Sequence, residues 1–333
     1  MTLPAFRVLH PCTFEEAVRM LVDNGPNAMV IAGGTDVIPN LQMKLFTPQV
    51  LVDIKLIQSL AAIRYSHQDG LHIGALATLS QILDAPWMRT KFPVLASAVS
   101  TIAGPLQRNM GTLGGNLCLE TRCRWYNQSH FWRQSLGGCL KKDGHICHVA
   151  PGGKFCWAAW SGDSAPALLT LDAEVEITGP HGSRRLPLSD FYKNDGMDRI
   201  ALARDELLTA VHVPARMAGR RGVYHKLRVR ESIDYPLAGV AVTMELDSGG
   251  ICRDVRVALT AVNPAPMLVR QANEWLTGQR WSQELGERIA HAAIQTGKPL
   301  TTSASTPVYR RDMVQVFTRR ALEEVWKNGY ARS

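Results

Sequence analysis

The chain has 333 residues, 46% of them hydrophobic and 20% charged, with a formal net charge of +8. That balance marks an ordinary globular chain long enough for two or three domains. No run of about 18 apolar residues exists and the first residues lack the order of a signal peptide, so no transmembrane helix and a cytoplasmic location are expected. The positive balance suits an acidic cofactor or an acidic protein partner, whereas nucleic acid is disfavoured because basic and aromatic residues are not interleaved.

In chain order, Thr13-Phe-Glu-Glu16 is a capping-box pattern that opens a helix over 17–22, with Gly25 as its stop. Residues 28–32 form a short apolar run ending at Gly33-Gly34, which predicts a buried strand entering a turn. A second strand follows at 50–54. A strand at 71–74, a helical turn capped by Thr78 and a helix over 92–102 open a second unit. Residues 104–116 read as a glycine-rich turn region. From Thr121 to Gly162 the periodicity disappears, and so long an irregular stretch has a functional reason or a ligand that holds it. Regular pattern resumes at 165–171 and 173–177. Residues 216–222 read as a linker. Strands at 238–246 and 255–262 and amphipathic helices at 283–295 and 311–326 predict a separate C-terminal α/β domain.

Three segments carry candidate chemistry. In Ile31-Ala-Gly-Gly-Thr-Asp-Val37 two glycines after a strand let consecutive N–H groups converge on a phosphate, or simply make a tight turn. Met110-Gly-Thr-Leu-Gly-Gly-Asn116 repeats the device, and two such turns suit a ligand with two phosphates. Neither segment fits G-x-G-x-x-G or the P-loop pattern. In Ser161-Gly-Asp-Ser-Ala-Pro166, Asp163 precedes an apolar run, either as a hydrogen-bond acceptor for a nucleotide or as a turn residue.

Taken in order, these segments resemble the FAD-binding (medium) subunits of the xanthine oxidase family of molybdenum enzymes, and Tyr224-His-Lys-Leu-Arg-Val-Arg230 and Tyr309-Arg-Arg-Asp-Met313 extend the likeness over most of the chain. The resemblance implies an α+β fold: a vanillyl-oxidase-type (PCMH-like) FAD-binding unit of two α/β subdomains, plus a C-terminal domain of the CO dehydrogenase flavoprotein type. The boundaries it implies are 1–57, 58–217 with an insertion at about 121–160, and 221–333. It also implies non-covalent FAD, with Val30, Ile31, Ala32, Gly33, Gly34, Thr35, Asp36 and Val37 and Thr112, Leu113, Gly114, Gly115 and Asn116 around the pyrophosphate. Asp163 would lie along the flavin or adenosine, Lys226 would approach the flavin ring, and Leu188 would pack against it.

Five of the seven cysteines lie between Cys118 and Cys156, and Cys12 and Cys252 read as small buried residues. Cys123, Cys139, Cys147 and Cys156 follow C-x15-C-x7-C-x8-C. Four thiolates suit a [4Fe–4S] cluster. Structural zinc also takes four, but as close C-x₂₋₄-C pairs, which this spacing lacks. Cys118 reads as a small buried residue or an alternative ligand, and His145 and His148 as loop residues or hydrogen-bond partners. Trp125, Trp132, Trp157 and Trp160 are expected to sheathe the sulfurs. Arg122, Arg124, Arg133, Lys141, Lys142 and Lys154 against Asp143 make the loop a basic surface, solvated or suited to an acidic protein.

Such a loop resembles that of the flavin subunits of 4-hydroxybenzoyl-CoA reductases, a branch of the same family. That likeness implies an electron-transfer subunit with no catalytic residue of its own. Ferredoxin would be the donor, a small subunit would carry [2Fe–2S] centres and a large subunit the molybdopterin, in a dimer of heterotrimers. The alternative within the family is a hydroxylase or dehydrogenase that oxidises an aldehyde or an aromatic heterocycle.

Overall fold

The computed structural model describes residues 2–302 and 304–327. Three sheets follow one another along the chain. The first is parallel, from β1 (Arg7–Leu9), β2 (Ala28–Ile31) and β3 (Val50–Asp53) in the order β1-β3-β2. The helix Phe14–Asn24 covers it through Ala17, Val18 and Leu21. Thr13 accepts from the Glu16 N–H at 3.2 Å, and Gly25 with φ +50° ends the helix. The Glu16 carboxylate reaches one residue further back than a capping box requires, to the Cys12 N–H at 2.8 Å.

The second sheet is antiparallel: β4 (Ile63–Ser66), β5 (Gly70–Gly74), β6 (Glu174–Gly179), β7 (Gly182–Pro187) and β8 (Leu207–Val213), in the order β4-β5-β8-β6-β7. Helices Pro93–Ser100 and Ser164–Thr170 bury Leu95, Val99 and Leu168 in the core that this sheet shares with the C-terminal strands. The glycine-rich region 104–116 is not a turn but two short helices, Pro105–Met110 and Leu113–Leu117. Pro105 starts the first, and Thr112 caps the second by accepting the Gly115 N–H at 3.1 Å.

The third sheet joins β9 (Arg221–Leu227), β10 (Ala238–Leu246), β11 (Cys252–Thr260) and β12 (Met267–Leu268) in the order β12-β11-β10-β9. Helices Gln283–Thr296 and Pro307–Lys327 cover one face and bury Ile289, Val314 and Leu322 there. The expected linker is short, because β9 begins at Arg221 directly after a 3₁₀ turn at Ala215–Met217. No helix among the described residues is long and apolar enough to cross a membrane.

Cys252 is buried as expected, but Cys12 is exposed, because it lies outside the packed face of the first helix. Arg310 is 2% exposed and its guanidinium donates to the carbonyls of Leu237, Ala261 and Leu300. It thereby satisfies three loop ends that otherwise lack donors. Arg310→Met is expected to lower stability by about 3 kcal/mol through these orphaned carbonyls, read as a lower midpoint in urea unfolding.

Candidate flavin and cysteine sites

The two glycine segments, 77 residues apart in sequence at Gly33 and Met110, meet backbone to backbone. A Cβ on Gly33 would lie 1.9 Å from the Met110 carbonyl oxygen, and one on Gly111 would lie 3.3 Å from Thr35 Oγ1. Gly34 adopts φ +73° to turn the chain out of β2. No backbone N–H from Gly33 to Val37 donates to another described residue. The second segment differs. Its Leu113, Gly114, Gly115 and Asn116 N–H groups are satisfied by Ala77 O, Ala75 O, Thr112 Oγ1 and Thr112 O. The free donors therefore lie in the first segment, and the second forms the wall against which it rests. Val30 and Ala32 pack on the core of the first unit instead of facing this opening.

Around the turn, Asp36 accepts from Asn40 Nδ2 at 3.0 Å and from the Tyr235 hydroxyl at 3.3 Å. Burial raises its carboxyl above the ordinary range, with Arg122 opposing. Arg122 lies 4.3 Å over the Tyr235 ring. Asp163 is buried beneath. It accepts from Tyr224 Oη at 2.6 Å and Lys226 Nζ at 2.9 Å, and Lys226 also donates to Thr101 O. Burial pushes the Asp163 carboxyl up, opposed by Lys226 and Tyr224. Lys226, the residue expected to approach a flavin ring, is paired with Asp163, and side-chain exposures of 2% and 5% show both charges to be desolvated. Asn116 Oδ1 accepts from Ser164, which ties the second glycine segment to the Asp163 loop. Leu188 is fully buried in the central core.

The irregular insertion has a small core of its own: Tyr126 and Cys139 pack on Leu45, with Cys123, Met43 and Phe46 at the edge. Cys139, Cys147 and Cys156 are each 8% exposed. Cys123 and Cys139 share this small core. Burial pushes the Cys156 thiol up to about 11. Amide donors point at the sulfurs: Ala150 N–H at Cys147 and Ala158 N–H at Cys156, both 3.4 Å. A tight turn aims Cys139. Gly138 has φ +72° and a Cβ there would lie 2.5 Å from Asp143 O. His148 hydrogen-bonds Gly138 O at 2.7 Å and stacks on Trp125, which pairs with Trp132. Trp160 is not part of this sheath, because it is fully buried in the main core against Tyr192. Cys118 packs on the same core, and burial raises its thiol to about 11.

Among the described residues, no three of His, Cys, Asp and Glu stand close enough to share one metal ion. A tetrahedral zinc would need sulfurs about 3.8 Å apart, given Zn–S bonds of about 2.3 Å. Arg133, 2% exposed, donates only to the carbonyls of Met43, Lys44 and Gln128, and its Nε has no partner.

Residues 4–216 match the family model of the FAD-binding domain in molybdopterin dehydrogenase, and residues 223–325 that of the CO dehydrogenase flavoprotein C-terminal domain. The chain belongs to the FAD-binding subunits of the molybdopterin dehydrogenases. Among its relatives in this family is the carbon monoxide dehydrogenase medium chain of Hydrogenophaga pseudoflava, 28% identical over 327 residues that cover 98% of this chain and 99% of the relative. The aldehyde oxidoreductase FAD-binding subunit PaoB of Escherichia coli (strain K12) is 33% identical over 261 residues, 76% of this chain and 80% of the relative. A solved carbon monoxide dehydrogenase structure from Hydrogenophaga pseudoflava superposes with a TM-score of 0.81 at 28% identity, covering 98% of this chain and 99% of that one.

For an FAD-binding subunit, the open row of N–H groups at Gly33–Val37 fits the group: it is where backbone donors are left for phosphate oxygens. Nothing in the sequence pointed to Tyr235, Glu120 and Arg199 here, and Arg122 stood only in the basic loop; folding brings them to this region. Gly33→Ala must separate the two glycine segments, since the new carbon would overlap Met110 O. The expected result is at least about tenfold weaker FAD binding (about 1.4 kcal/mol or more), measured by flavin fluorescence titration, with the circular dichroism spectrum kept. Asp163→Asn should leave Lys226 buried without a counter-charge and cost about 3–5 kcal/mol, read by thermal unfolding.

Proposed function

We propose that this chain is the FAD- and [4Fe–4S]-carrying electron-transfer subunit of a molybdenum-containing reductase of the 4-hydroxybenzoyl-CoA reductase type, with ferredoxin as donor. The observation that carries it is one insertion holding Cys123, Cys139, Cys147 and Cys156, the last three buried, with amide donors at the sulfurs of Cys147 and Cys156. A buried thiolate cluster is anionic, and a desolvated anion needs such donors. Bound FAD would supply interconversion between one- and two-electron transfers, and the cluster a one-electron port.

The chain's own part is holding and shielding. Gly33–Val37 offer N–H donors to the pyrophosphate, and Thr112–Asn116 wall it. Asp163 and Lys226 fix the C-terminal sheet beneath. Leu188 supplies apolar packing, and Trp125 and Trp132 keep water from the sulfurs. No residue here reads as a substrate acid or base, so substrate reduction belongs to a large molybdopterin subunit, reached through a small [2Fe–2S] subunit in a dimer of heterotrimers.

A second reading is favoured by the likeness to the aldehyde oxidoreductase subunit: a dehydrogenase that oxidises an aldehyde or aromatic heterocycle and sends electrons outward. Iron, sulfide and flavin are to be quantified on the anaerobically purified complex, with EPR after dithionite. On this chain, about four irons and one acid-releasable FAD are expected, with the cluster signal lost in Cys139→Ser. Turnover of 4-hydroxybenzoyl-CoA with reduced ferredoxin supports the reductase. Aldehyde oxidation without it supports the second reading, and flavin with zinc in place of iron removes the one-electron port.

A further inference from the structure

We propose that the cavity between the insertion and the segment following the helix Val37–Gln42 is an anion site, which takes the phosphate group of a small polar molecule. The proposal goes beyond the reading above and uses neither its flavin nor its cluster.

The cavity holds about 550 Å³. Lys44 and Thr47 form one side, and His130, Arg133, Lys142 and Asp143 stand on the other. No apolar side chain lines it, so it suits a charged ligand and offers nothing to an apolar one. Its wall takes unusual backbone to build. Lys44 and Asp143 adopt φ of +52° and +58°, which few residues other than glycine do, and Gly137 and Gly138 turn the chain at +73° and +72°.

The charges around the cavity do not balance. Arg133 is 2% exposed, and no carboxylate among the described residues pairs with it. Its guanidinium donates to Met43 O at 3.1 Å, to Lys44 O at 2.9 Å and to Gln128 O, and its Nε meets no acceptor. Those carbonyls satisfy hydrogens and leave the charge uncancelled. The Lys44 ammonium has no partner among the described residues. Lys142 Nζ lies 3.3 Å from Asp143 Oδ1. Asp143 is the only acid between Thr121 and Trp160, and none occurs from Val37 to Val52, so the two segments that build the cavity bring one carboxylate between them. Three cations against that one carboxylate leave an excess of two positive charges.

That excess selects the ligand. A phosphate monoester carries a charge of about −1.5 to −2 near neutral pH and has three strong acceptor oxygens, whereas a carboxylate brings about half that charge. Arg133, turned toward carbonyls, contributes its field from within the wall. Lys44, Lys142 and His130 supply the N–H donors, and charge-assisted bonds of this kind are the stronger ones. Arg133 already ties the insertion to the carbonyls of Met43 and Lys44. A phosphate bridging Lys44 and Lys142 would clamp the same two segments.

The test is calorimetric titration of inorganic phosphate into the full chain loaded with FAD, so that the Gly33–Val37 donors are already engaged, with chloride holding the ionic strength constant. One phosphate per chain is expected. Lys44→Asn and Lys142→Gln should each weaken it at least about tenfold. Asp143→Asn, which removes the one opposing charge, should tighten it. Asparagine tolerates the positive φ at both positions, and circular dichroism checks that each variant is folded. The opposite sign at Asp143 separates a charge effect from general damage. No phosphate binding, or binding as an adventitious ion only that all three variants leave unchanged, overturns the proposal. If wild type ignores phosphate but the Lys44→Asn, Lys142→Gln double variant no longer assembles with its partner subunits, the cavity takes a partner's carboxylate and the phosphate assignment fails. Iron and sulfide counts decide the cluster reading separately.

Discussion

The site depends on one steric constraint: at Gly33 the chain passes so close to the Met110 carbonyl that no side chain can be present. Only glycine permits this approach, and the approach makes one wall from two distant segments. The consequence is an asymmetry of hydrogen bonding. The second segment spends its N–H groups on its own short helix and on Ala75 and Ala77, which makes it rigid. The first is left with donors and no acceptors, and buried or half-buried backbone donors do not stay unpaired without reason.

Beneath this wall the same economy governs the junction of the two matched domains. Asp163 and Lys226 come from opposite sides of the junction, and burial makes each dependent on the other. Tyr224 adds a hydroxyl to the same carboxylate. Asp172 repeats the pattern nearer the surface, binding Arg256 and Arg216, and these two charges hold its carboxyl below the ordinary range against the desolvation that would raise it. The C-terminal sheet is therefore registered on the FAD-binding domain by charge as well as by apolar packing.

The insertion follows a different logic. It has almost no regular structure, one short helix at His130–Ser135, and a core of a few side chains. What orders it is polar: Arg133 gathers three carbonyls, Lys141 gathers Glu120 and Thr121, and tight glycine turns aim the cysteines. Such a loop carries less apolar burial than a domain of its length, and a bound anionic cluster would complete its electrostatics.

Much of this was legible in the sequence. The strand-then-glycine pattern located the first turn, and apolar periodicity located the long C-terminal helices, because both are local properties. Ordered short motifs pointed to the family, since their combination is specific where each alone is weak. The cysteine spacing singled out the insertion. What the sequence could not determine was who pairs with whom. Lys226 went to Asp163, Trp160 to the central core, and Cys12 to the surface, each decided by packing between segments tens of residues apart. The helices inside 104–116 were hidden because glycine content argues against helix locally, while Pro105 and the Thr112 cap, set in place by contacts with 75–77, outweigh it. Residue type and spacing fixed the chemistry available; only the tertiary structure, by burying charges and closing distances, decided where it is used.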